Sequence, residues 1–113
     1  MKISREDAFI FSLIKWQFLS KKDYMTGYSA SCALVDEYPL LDELRGRCGL
    51  CHYKYQRNMK TCVLSHFKRN YCYEVIACED YSHIYSAWSL DPTKENAKVV
   101  YKKILELAER EMG

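Results

Sequence analysis

Ser4-Arg-Glu-Asp-Ala-Phe-Ile-Phe-Ser-Leu-Ile-Lys-Trp-Gln-Phe-Leu-Ser20 reads as a helix with an identifiable start. Ser4 is a natural N-cap, and Asp7 stands three residues on, where a capping-box partner belongs. Glu6 and Asp7 also suit the positive end of the helix dipole. Phe9, Ile10, Leu13, Ile14, Trp16 and Phe18 follow at near-helical spacing and make a wide apolar face. Such periodicity reports burial, so this is a core-packing helix and Trp16 belongs to the core. Lys15 interrupts the apolar run, and Ser20-Lys21-Lys22-Asp23 ends it.

A second helix lies at the other end of the chain. Asp91-Pro92 offers an N-cap candidate followed by proline at the first helical position, where its missing N–H costs nothing. Ala97, Val100, Tyr101, Ile104, Leu105 and Ala108 form one apolar stripe, and Lys102 and Glu106 are spaced for an i,i+4 contact. Mixed charge on the polar side fits a docking helix and not a membrane anchor.

From Asp23 to Asp91 the pattern is weaker. Tyr38-Pro39 should break any helix begun at Ser29, Leu40 to Leu44 suit a short helical turn, and Arg45 to Gly49 carry turn chemistry. Cys62 to Phe67 and Cys72 to Cys78 suit either a short helix or a short strand. The expected fold is therefore a small, mainly α single domain over residues 1–113. Helices near Ser4–Ser20 and Pro92–Met112 pack together around an irregular, cysteine-rich middle. With 113 residues, 49% of them hydrophobic, the chain can bury a modest core, and a metal staple would help it.

Six cysteines permit two frameworks. Extracellular disulfides require a secretory signal, whereas here Glu6 and Asp7 precede the apolar run and Lys15 breaks it. A reducing cytoplasmic location is the expectation, and clustered thiols there more often hold metal. No stretch approaches the ~20 apolar residues that span a bilayer, so no membrane association is expected. Cys48-Gly-Leu-Cys51 is a zinc knuckle, with Gly49 permitting the tight backbone. Cys62 and Cys72 would complete a small basic finger, and Cys32 and Cys78 are equally available as distant partners. His52, His66 or His83 could replace one sulfur, although the cysteines already outnumber the four places.

The chain also carries Ala8, Ser12, Lys15 and Trp16 in an A-x-x-x-S-x-x-K-W helix, then Cys32-Ala-Leu-Val35-Asp-Glu-Tyr38, Cys48-Gly-Leu-Cys51, Cys78, Tyr85-Ser-Ala-Trp88 and the closing helix. This order resembles a group of small cysteine-containing proteins of phages and other mobile elements. Two departures stand out: Val35 replaces a second cysteine of the first pair, and His52-Tyr53 replaces a Pro-Leu. Since Val35 cannot ligate, the resemblance implies a four-sulfur structural zinc on Cys32, Cys48, Cys51 and Cys78, in competition with the Cys62 and Cys72 alternative. It also implies a phage-type accessory protein in the host cytoplasm, and it brings no established activity.

Net charge is only +2, but no acid lies between Arg45 and Tyr73. That segment holds Arg45, Arg47, Lys54, Arg57, Lys60, Lys68 and Arg69, interleaved with Tyr53 and Tyr55. Basic residues beside aromatics can join phosphate contact to base stacking. Part of the charge would also offset an all-thiolate zinc centre, which is net negative. No glycine-rich phosphate loop, HExxH, GxSxG or deaminase motif is present, so no enzymatic activity is expected. The expected function is binding of a host or phage protein, with inhibition of a host factor as one outcome. The alternative is a basic, zinc-finger-like nucleic-acid binder. The surplus of tyrosine and cysteine is also compatible with a homodimer interface.

Overall fold

The computed structural model describes residues 2–44, 47–56 and 84–112. In chain order these form α1 (Arg5–Leu19), α2 (Gly27–Glu37), a 3-10 turn (Pro39–Glu43), α3 (Gly49–Gln56), α4 (residues 84–90) and α5 (Lys94–Met112). Among the described residues there is no strand. The architecture is mainly α, with the N- and C-terminal helices packed against each other in one small globule.

Helix α1 is the hub, and both of its ends are set by serine. Ser4 Oγ accepts the Asp7 N–H at 3.1 Å, which is one half of the expected capping box. The buried face runs through Ala8, Phe9, Ser12, Lys15, Trp16 and Leu19. Phe9 and Trp16 are fully buried as expected, whereas Ile10 of the expected face is 46% exposed. The stripe is rotated because small Ala8 and Ser12 permit close helix contact, which the bulkier Ile10 would prevent. Burying a large side chain such as Phe9 or Leu19 stabilises the fold by roughly 1.5–3 kcal/mol.

α5 and α3 pack on this hub. Ala97, Val100, Ile104, Leu107 and Ala108 of α5 are buried, so the expected stripe holds and gains Leu107. Its start differs from expectation. The N-cap is Thr93, whose Oγ1 accepts the Asn96 N–H at 3.2 Å. Asp91 is excluded because its own N–H still bonds the Ala87 carbonyl, closing α4. A second cap comes from far away in sequence, where Asp23 Oδ1 accepts the Lys94 N–H at 2.8 Å. Since Asp23 lies just beyond the end of α1, α5 begins there and runs back antiparallel to α1.

The stretch from Asp23 to Gln56 is more regular than its sequence suggests. Thr26 and Ser29 form a reciprocal capping box that opens α2. Tyr38-Pro39 ends that helix and the 3-10 turn follows, both as expected. Arg47 then adopts φ 52°, the left-handed conformation that redirects the chain into α3. A Cβ on Gly49 would fall on the Ala8 carbonyl oxygen and within 2.9 Å of Phe11 Cβ. Glycine at this position therefore serves the contact between α3 and α1. Ser12 Oγ accepts the Leu50 N–H at 3.1 Å, and Gln56 exchanges two 2.7 Å bonds with the backbone of Ile3. These ties at both ends fix α3 antiparallel to α1.

Candidate binding cleft

One cleft of about 400 Å³ opens where three helices meet. α1 contributes Lys15 and Leu19, while α2 contributes Gly27, Tyr28, Ser31 and Leu34. α4 contributes Tyr85, Trp88 and Ser89. The helices hold these positions through an aromatic cluster: Trp16 meets Trp88 edge-to-face at 5.0 Å and Tyr85 edge-to-face at 6.0 Å. The first turn of α2 lies beside the Trp88 ring, where a Cβ at Gly27 would make an ordinary contact at 3.9 Å. The backbone bond from Tyr24 N–H to the Pro92 carbonyl, 2.9 Å, ties the loop before α2 to the end of α4.

The polar chemistry of the cleft is one-sided. Lys15 is only 8% exposed, and its Nζ lies 5.3 Å from the Trp16 ring centroid. That cation–π contact compensates part of its lost hydration. Among the described residues no carboxylate lines the cleft. The indole N–H groups of Trp16 and Trp88 are buried with no hydrogen-bond partner among the described residues. Close in sequence to the lining residues stand exposed apolar side chains: Met25 is 93% exposed and Leu90 88%, beside Tyr28 at 79%. Half-buried Tyr24 has its phenol raised above the ordinary value of 10.0 by loss of hydration.

The residues expected from sequence fall elsewhere. Cys32 is an exposed free thiol on α2, whereas Cys48 is buried with Sγ 3.5 Å from Ser12 Oγ. Cys48 and Cys51 hold the N-cap and third positions of α3, and the Cys51 side chain lies outside the described residues. Cys62, Cys72 and Cys78 also lie outside them. Among the described residues no group of three or more His, Cys, Asp or Glu is placed to hold a metal ion. Of the basic and aromatic set, Arg47 donates to Asp42 Oδ1 at 3.0 Å and to Ser31 Oγ at 2.7 Å, clamping the turn to α2. Tyr53 is half-buried against the core. Arg45, Arg57, Lys60, Lys68 and Arg69, with the side chains of Lys54 and Tyr55, lie outside the described residues.

Lys15, Gly27, Ser31 and Ser89 were not singled out as site residues by spacing. The one sequence signal was Lys15 standing inside an apolar run, where a charge needs a reason. Comparison with protein-family models, curated proteins and solved structures finds no match. No helix among the described residues is long and apolar enough to cross a membrane.

Proposed function

We propose that this chain is a non-catalytic binding protein of the phage accessory type, which engages a host or phage protein through the rim of the α1–α2–α4 cleft. One observation carries this reading. Tyr28, which lines the cleft, and Met25 and Leu90, which stand close in sequence to lining residues, are each more than three-quarters exposed. Sequence proximity to the lining residues and the Tyr24–Pro92 bond bring them to one face. Clustered apolar and aromatic side chains of this kind are what interface anchors are made of. Aliphatic area such as Met25 and Leu90 suits a protein surface better than a phosphate backbone. The nucleic-acid alternative gains no support among the described residues, where Arg47 is committed to Asp42 and Ser31.

A structural zinc belongs to the same proposal, as a staple and not as a catalyst. The N-cap and third-residue register of Cys48 and Cys51 suits a knuckle, since the same register brings Thr26 and Ser29 hydroxyls to 3.2 Å in α2. The partner reading is tested by placing a photo-crosslinking phenylalanine analogue at position 28 or 90 in producing cells. A discrete protein adduct at both positions, absent when the analogue replaces exposed Lys102, is the expected result. Equal adducts at all three positions, or none at 28 and 90, would contradict it.

A further inference from the structure

We propose that the cleft itself takes a small ligand: a phosphate monoester carried on a flat aromatic body, the chemistry of a nucleoside monophosphate. This goes beyond the partner reading: Tyr28 belongs to both surfaces, whereas Lys15 and the start of α2 serve only the ligand.

Two kinds of donor border the cleft without an acceptor. The first is the Lys15 ammonium, nine-tenths buried, for which no hydrogen bond or ion pair exists among the described residues. The second is the first turn of α2. Thr26 Oγ1 takes the Ser29 N–H at 3.0 Å and its carbonyl takes the Ala30 N–H at 3.1 Å. The N–H groups of Gly27 and Tyr28 are left with no acceptor among the described residues, at the positive end of an eleven-residue helix. A buried ammonium without an ion pair is costly, and an anion at this helix start would offer both kinds of donor an acceptor.

Geometry favours phosphate over carboxylate. Donors carried on two helices, α1 and α2, suit three terminal oxygens on a tetrahedral centre better than two in a plane. Ser31 and Ser89 add hydroxyls to the same lining, and among the described residues no carboxylate is there to repel the anion. The remainder of the lining is apolar, with the Tyr28 ring exposed over the nearly fully buried Trp88, Leu19 and Leu34. Aromatic faces of this kind stack a nucleobase without selecting its sequence. A volume of about 400 Å³ lies within the ordinary range for small-ligand sites.

Both tryptophans of the chain, Trp16 and Trp88, belong to this cluster, so their indole N–H signals in a proton–nitrogen correlation spectrum report on the cleft. The full chain is titrated with adenosine monophosphate, adenosine and inorganic phosphate in separate arms. Adenosine monophosphate should move the Trp88 signal saturably, with adenosine and phosphate each binding at least about tenfold more weakly. Lys15→Met should weaken the nucleotide about tenfold or more, the size of one lost charge-assisted bond. Tyr28→Ala, on an exposed side chain that does not endanger folding, should weaken the nucleotide and leave inorganic phosphate unchanged. Indole signals unmoved by the nucleotide at about 5 mM would overturn the proposal. So would undiminished binding by folded Lys15→Met or by Tyr28→Ala. A terminally phosphorylated oligonucleotide that bound more tightly than the mononucleotide would overturn the assignment to a small ligand.

Discussion

Gly49 is the residue on which the contact between α1 and α3 turns. An added Cβ meets the Ala8 backbone carbonyl, which cannot rotate away as a side chain would. Gly49→Ala should therefore cost on the order of 3 kcal/mol of stability, read as a lower urea midpoint, despite alanine's better helix propensity. A gain in stability would show that α3 does not lie against Ala8. Tyr24 gives a second test at this scale. Its phenol holds its proton more tightly folded than unfolded. The stability this reflects is present below pH 10.0 and is lost as pH rises through the folded value. Denaturation of Tyr24→Phe should accordingly be less sensitive to alkali than that of the parent protein; equal sensitivity would contradict the burial of the phenol. Sequence reading placed Gly49 inside a metal knuckle, because its spacing between two cysteines is local. Its contact with Ala8 is tertiary, and no spacing announces it.

At the scale of elements, end signals decided what was legible. α1 and α5 carry long apolar stripes and polar ends, and both were readable, as was the stop at Tyr38-Pro39. α2 was less so, because only Ala30 and Leu34 are buried in it and such a face has little periodicity. The start of α5 was misplaced because Asp91 looks like a cap, while its N–H still belongs to α4. The true supporting acid, Asp23, is remote in sequence and invisible to any local rule. Asp23→Ala should cost about 1 kcal/mol, the usual worth of a helix cap, and Asp91→Ala much less. Thermal or urea denaturation of the pair checks this, and the reverse order would contradict the capping scheme.

For the whole molecule, the cleft exists only because α1, α2 and α4 converge, so its members are scattered through the sequence. Lys15 was visible there as a break in an apolar run, and Tyr28, Tyr85 and Trp88 as surplus aromatics, but nothing local joined them. The cysteines were conspicuous by contrast, and they bear on stability. With zinc on Cys48 and Cys51, native mass spectrometry should show one metal per chain, and chelation should remove it and lower the melting temperature. Metal-free protein with reduced thiols would leave Cys48 as a packing residue beside Ser12.

The central claim, that the α1–α2–α4 face is where this chain binds, is tested most directly on the partner recovered by crosslinking. Its affinity is measured for the parent chain, for Tyr28→Glu with Leu90→Glu, and for Lys98→Glu with Lys102→Glu on the exposed side of α5. The rim pair should lose at least about tenfold in affinity and the α5 pair little, since anchors near the centre of an interface dominate its energy. Full affinity in the rim pair, or an equal loss in both, would contradict the claim.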